Sequence, residues 1–213
     1  MNNKYNELIE QIYFDYIFET DFKDYILEYG IIKGSNKIVV IKPGLEGTLL
    51  GKNYYHYKVA KLINKKYGYT VICSNNPNPN TKTTDTLEDL IRIINEYAKD
   101  MNYTDYEIYY FGDSNGGVIG ARYAYLYPNI KRALLINSPL FISYHKLKDG
   151  MLKFTGDKMT FIYGSLDPSY KFVELLDLVD NDKISYVVLE NKDHNLANDI
   201  ELLESLLDKY LLD

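Results

Sequence analysis

The residues Gly112-Asp113-Ser114-Asn115-Gly116 place one serine between two glycines, directly after the apolar run Ile108-Tyr109-Tyr110-Phe111. A nucleophilic serine needs a tight turn that lifts its hydroxyl clear of the backbone, and such a turn crowds the positions two before and two after it. Gly112 and Gly116 stand at those positions. A chain of this composition would contain the pattern by accident about 0.03 times. The chemistry it suggests is attack on an acyl carbon. A neutral hydroxyl is a weak nucleophile, so it needs a base to take its proton and a third group to orient that base.

Three histidines compete for the role of base. His194 follows the run Tyr186-Val187-Val188-Leu189 and precedes an apolar helical stripe, so it stands just past a strand end, and it is the expected base. His56 on the flank of an early helix and His145 in a polar segment are expected to be exposed or at a pocket rim. Asp167 follows the strand-like Thr160-Phe161-Ile162-Tyr163 and is the expected orienting acid, although Asp before Pro is also a common turn former. Asp193, adjacent to His194 in sequence, is less suitable, because neighbouring side chains in a turn seldom converge on each other. Asp113 is expected to be a solvated turn residue rather than a second acid. A tetrahedral intermediate needs two backbone N–H donors. One is expected from Asn115, at the start of a helix, where free N–H groups and the helix dipole favour negative charge. The other is expected from the loop Pro43-Gly44-Leu45-Glu46-Gly47, and is assigned to Leu45 with Gly44 or Glu46 open.

These residues must be carried by strands and helices. Residues 3–10 suggest a short helix, and Ile12–Phe18 with Tyr25–Ile32 suggest a hairpin turned at Glu19-Thr20-Asp21. Lys37–Ile41, Thr70–Cys73, Ile108–Phe111, Ala133–Ile136, Thr160–Tyr163 and Tyr186–Leu189 read as six further strands. Between them, Tyr55, Val59, Leu62 and Ile63 recur at helical spacing, and Gly68 closes that helix. Asp85 and Glu88 form a capping-box variant before Leu87, Leu90, Ile91 and Ile94. Val118, Ala121, Tyr125 and Leu126 continue a helix from the serine turn until Pro128. Phe172–Val179 reads as helical, and Ile200, Leu203, Leu207, Tyr210 and Leu211 form a C-terminal stripe. Such alternation predicts an α/β fold with an eight-stranded, mostly parallel sheet and helices on both faces, its ligands beyond the carboxyl ends of the strands.

Composition narrows the classes. The length of 213 residues suits a single domain over 1–213, and 46% apolar content can furnish its core. A formal charge of −6 argues against a nucleic-acid partner. Lys58, Lys61, Lys65 and Lys66 fit the wet face of a helix. Cys73 is the single cysteine, so no intrachain disulfide forms, and no zinc spacing is present. No basic leader with an apolar core and no membrane-length apolar run occurs, which predicts a cytoplasmic protein without a membrane partner. The 23 tyrosines are read as compositional.

The serine turn resembles the nucleophile elbow of the α/β-hydrolase family, and Ser114, Asp167 and His194 follow that family's chain order. The resemblance covers nearly the whole chain. It implies the family's sheet with an antiparallel start, Ser114 as nucleophile, Asp167 as acid, His194 as base, and Leu45 with Asn115 as oxyanion donors. No cofactor and no metal are expected. Two departures stand out: Pro43-Gly44 occupies the place where the family often has His-Gly, and the stretch between the Ala133 and Thr160 strands is too short for a cap domain, which predicts an open site. Gly-Asp-Ser-Asn-Gly-Gly also resembles the serine motif of trypsin-like proteases, but those are β-barrels with the acid and base before the serine. The expected function is hydrolysis of a carboxylic ester or related small acyl compound through an acyl-enzyme. Thioesterase, peptidase and acyltransferase chemistry on the same triad, or a non-catalytic binding role, are the alternatives. The acyl chain, the leaving group and the oligomeric state are left open.

Overall fold

Long apolar runs with no alternation become strands buried on both faces. In the computed structural model, which describes residues 14–22, 25–77, 86–196 and 199–212, these are β3 (Ser35–Lys42), β4 (Tyr69–Ser74), β5 (Glu107–Asp113), β6 (Ile130–Ile136) and β7 (Lys158–Gly164). β1 (Tyr16–Phe22) and β2 (Tyr25–Ile32) precede them, and β8 (Ile184–Leu189) follows. The eight strands form one sheet in the order β1-β2-β4-β3-β5-β6-β7-β8. β2 runs antiparallel to both of its neighbours, and every other pairing is parallel.

Helices cover the two faces. α1 (Tyr55–Tyr67) and α5 (Ile200–Leu207) pack with Val39, Ile41, Val71, Tyr109, Phe111 and Ile136 on one side. α2 (Thr86–Asp100), α3 (Asn115–Tyr123) and α4 (Tyr144–Lys153) pack with Ile38, Val40, Tyr110 and Leu135 on the other. Each fully buried Ile, Val or Leu contributes about 1.5–3 kcal/mol relative to exposure. α1 ends where Gly68, at φ 68°, turns left-handed and donates its N–H to the Asn64 carbonyl. The four lysines of its outer face are exposed as expected, and Lys66 reaches Glu204 and Asp208.

Chain order and sheet order part company at β3. From it the chain crosses through α1 to β4 on one side, and then through α2 to β5 on the other. That reversal opens a crevice at the carboxyl ends of β3 and β5, the place where ligands enter open α/β sheets. The loop after β3 contains Pro43–Gly47, and the residue after β5 is Ser114.

Some local expectations change. Glu19-Thr20-Asp21 lies inside β1, paired with Glu28, Leu27 and Ile26, because an edge strand with a solvated face tolerates polar residues that a buried strand would not. The expected helix over 3–10, the residue Ile12 and the capping residue Asp85 lie outside the described residues. Leu126, expected on an apolar face, is exposed in a 3-10 turn after α3. Phe172–Leu178 belongs to a 3-10 helix, Pro168–Leu178, and Val179 is extended just past its end. No helix among the described residues is long and apolar enough to cross a membrane.

Candidate active site

Ser114 sits at φ 50° and ψ −114°, a conformation costing a non-glycine residue about 1–3 kcal/mol. The surroundings hold it there. Its N–H donates to the Ile136 carbonyl at 2.8 Å, and its own carbonyl accepts from Gly117 and Val118 at 3.0 and 3.2 Å. A Cβ on Gly112 would lie 2.7 Å from the Gly116 carbonyl carbon, and one on Gly116 would lie 2.2 Å from the Lys42 carbonyl oxygen. Both glycines of the pattern are therefore required by close approach of backbone to backbone. The buried Tyr110 hydroxyl donates to the Gly116 carbonyl at 2.6 Å and fixes the first turn of α3 from below.

The loop after β3 passes beside this serine. A Cβ on Gly44 would be 3.3 Å from the Ser114 Cβ. Asn76 organises the loop: its backbone carbonyl accepts from the Glu46 N–H, and its own N–H donates to the Gly47 carbonyl, each at 2.8 Å. Its side-chain amide donates to the Pro43 carbonyl at 2.9 Å and to Asn115 Oδ1 at 3.0 Å. This buried asparagine joins β4, the loop and the start of α3, and nothing in its sequence neighbourhood marked it. The Glu46 N–H is engaged by Asn76, which leaves Gly44 and Leu45 as the loop's candidate donors. Leu45 exposes its side chain, so any part it plays here is played by its main chain. The N–H of Asn115 opens α3, where no intrahelical carbonyl can accept it.

Asp167 and His194 come together. His194 Nδ1 is hydrogen-bonded to Asp167 Oδ2, with the carboxylate fully buried and half of the histidine side chain open to solvent. The other carboxylate oxygen, Oδ1, accepts from the Ser169 N–H at 2.6 Å and caps the 3-10 helix that Pro168 begins. Asp167 thus serves as turn former and as histidine partner at once, one oxygen to each. Asn137, at the end of β6, holds the histidine loop: its side-chain N–H groups donate to the carbonyls of Asp193 and His194, each at 3.1 Å. Its Oδ1 accepts from the Gly164 N–H at 3.0 Å. Because Ser114 bonds to Ile136, one residue before Asn137, a short path of hydrogen bonds connects serine and histidine loops.

Two side chains differ from expectation. His56 is buried on α1, its Nδ1 beside the Thr48 carbonyl at 3.1 Å, and burial lowers its pKa. Helix packing on the sheet, rather than the pocket rim, accounts for it. Asp113 is no solvated turn residue, since its Oδ1 is sealed from solvent without a hydrogen-bond partner among the described residues. His145 is exposed on α4, as expected. Past the carboxyl end of β6, Phe141 and Ile142 are exposed. The connection from β6 to β7 holds α4 as its one helix, leaving no room for a cap domain. Among the described residues no three His, Cys, Asp or Glu side chains are grouped to hold a metal ion.

The sequence model of the alpha/beta hydrolase fold matches residues 37–169. Solved structures share the architecture at low identity. An alpha-beta serine hydrolase homologue from Coxiella burnetii superposes with a TM-score of 0.68 at 16% identity, covering 92% of this chain and 97% of that one. Est1E from Butyrivibrio proteoclasticus gives 0.66 at 15% identity, over 90% of this chain and 98% of that one. The esterase domain of a Rhodothermus marinus protein gives 0.62 at 15% identity, over 92% and 99%. No curated protein matches the sequence. With a family match over more than half its length, on the sheet order and serine turn described above, the chain belongs to the alpha/beta hydrolase fold family.

Proposed function

We propose that the protein is a serine hydrolase that cleaves a carboxylic ester, or a related small acyl compound, through an acyl-enzyme. Ser114 Oγ attacks the acyl carbon while His194 Nε2 takes its proton. Asp167 fixes the imidazole through Nδ1 and stabilises the cation that forms. The N–H groups of Asn115 and Leu45 receive the developing oxyanion. Collapse of the tetrahedral intermediate re-forms the carbonyl and breaks the bond from the acyl carbon to the alkoxy oxygen, which takes the proton back from His194. Water then attacks the acyl carbon with His194 again as base, the bond to Ser114 Oγ breaks, Oγ regains its proton from His194, and the acid leaves.

The observation that carries this reading is the buried Asp167 carboxylate bonded to His194, past the carboxyl ends of the parallel strands, as is Ser114 in its positive-φ turn. An ester is favoured over an amide because the similar solved structures include an esterase domain. The test is a panel of p-nitrophenyl esters, acyl-CoA thioesters and aminoacyl amides. Ester turnover with a burst of p-nitrophenol, reduced at least about 10³-fold in Ser114→Ala, supports the reading. Turnover of thioesters or amides alone would move it to another leaving group. Inactivity of the folded protein on the whole panel would overturn it.

A further inference from the structure

The two N–H groups proposed above for the oxyanion belong to segments far apart in the chain, Leu45 in the loop after β3 and Asn115 at the start of α3. Two donors stabilise a developing charge together only when both stand about 2.7–3.1 Å from it, so the separation of the segments must be held closely. Backbone packing brings them near: a Cβ on Gly116 would lie 2.2 Å from the Lys42 carbonyl oxygen and 2.7 Å from that of Pro43. Packing of this kind carries no direction, whereas a hydrogen bond does. Asn76 supplies the directed tie. Its Nδ2 uses two hydrogens on the two segments, donating to the Pro43 carbonyl at 2.9 Å and to Asn115 Oδ1 at 3.0 Å. A carbonyl oxygen only accepts, so Pro43 fixes which end of the amide faces it. Asn76 is buried, and its neighbour Asn75 is anchored to two strands. The Asn75 N–H donates to the Glu28 carbonyl at 2.9 Å, its Oδ1 accepts from the Glu28 N–H at 3.1 Å, and its carbonyl accepts from the buried Lys42 Nζ at 2.8 Å. The loop itself is already held by the backbone pairing of Asn76 with Glu46 and Gly47. The reach of the side chain to Asn115 therefore adds something other than loop stability.

We propose that Asn76 is a positioning residue for the oxyanion: its side-chain amide holds the loop donor and the helix donor at the separation that the tetrahedral intermediate requires. This rests on the serine-hydrolase reading above. Asn76 acts through the two segments it joins rather than on the substrate. With the donors fixed beforehand, no reorganisation is needed as charge develops on the oxygen. A ground-state carbonyl gains less from the same geometry than the oxyanion does, so loss of the tie falls on kcat rather than on KM.

Ester kinetics of Asn76→Ala, Asn115→Ala and the double variant test this, together with a trifluoromethyl ketone, whose hemiketal on Ser114 carries the oxyanion as a stable adduct. Asn115→Ala keeps the main-chain N–H and removes only the acceptor of the tie, from a side chain that is half-buried, so it decides the matter even if Asn76→Ala fails to fold. Asn76→Ala should lower kcat about 10- to 30-fold and Asn115→Ala about three- to tenfold, each with KM within about twofold of native. The double variant should be no worse than Asn76→Ala, because both changes break one tie. Affinity for the ketone should fall by the same factor as kcat. In 19F NMR of the adduct, the hemiketal hydroxyl should ionise about one pH unit higher in Asn76→Ala than in the native protein. An amide that only stabilises the fold would lower the urea midpoint and leave kcat, ketone affinity and hemiketal ionisation unchanged. That result, a native kcat in Asn115→Ala, or fully additive losses in the double variant would overturn the proposal. A native protein inactive on every ester would remove the serine-hydrolase reading and this proposal with it, whereas an active one whose hemiketal ionisation is indifferent to Asn76 and Asn115 would remove this proposal alone.

Discussion

Around Ser114 the backbone is fixed by close packing, whereas around His194 it is fixed by side-chain hydrogen bonds. The serine turn has carbonyls pressed against Gly112 and Gly116, so a single methyl group would collide with main chain. The histidine loop is tied down by Asn137, whose amide spends both donors on the carbonyls of residues 193 and 194. Packing of that kind has no give, since interiors are as dense as organic crystals. An amide clamp can loosen by one bond and leave the loop close to its place. The proposed nucleophile is thereby held rigidly, and the proposed base keeps more freedom to adjust.

Substitutions on the two sides should fail in different ways. Gly116→Val would drive side-chain carbon into the Lys42 carbonyl, and we expect a loss of at least about 3 kcal/mol in urea denaturation together with all activity. A cost under about 1 kcal/mol would show that the turn is softer than its packing implies. Asn137→Ala should cost less, about 2 kcal/mol, by leaving the Gly164 N–H and two loop carbonyls to find other partners. Its mark should be kinetic: kcat falling about 10- to 100-fold with little change in KM, since the proposed base is displaced while the serine turn stays intact.

Asp113 lies between the two sides, and its effect on stability has the opposite sign. Its folded pKa of about 6 stands above the ordinary carboxylate value, so the stability associated with its protonated form is present below about pH 4 and lost as pH rises through 6. Asp113→Asn should therefore stabilise the fold at pH 7.5 by on the order of 2 kcal/mol, with the gain vanishing below pH 4. Equal melting temperatures for native and variant at pH 7.5 would contradict the burial of this charge. His145→Ala, on the exposed surface of α4, should change stability by less than about 0.5 kcal/mol and leave ester hydrolysis untouched.

The sequence made the serine side legible because its constraint is steric. Only glycine satisfies a backbone contact at 2.2 Å, so the contact writes itself into residue identity at Gly116. The buried strands were legible for a related reason, as apolar runs have few alternatives to a two-sided core. Asn76 and Asn137 were not, because an asparagine after a strand looks like any turn former until its hydrogen-bond partners are known. The same ambiguity hid His56, whose burial depends on how α1 rests on the sheet, and Asp113, whose face depends on strand register. β1 was misplaced by its polar centre, since an edge strand carries no burial signal on its solvated face.

The central claim is that Ser114 is a nucleophile activated by His194. Treatment of the folded protein with a fluorophosphonate, followed by peptide mass spectrometry, addresses it directly. A phosphonyl adduct on Ser114, formed at least about 100-fold more slowly in His194→Gln, is the expected result. An adduct on another residue, or a rate on Ser114 indifferent to His194, would contradict it.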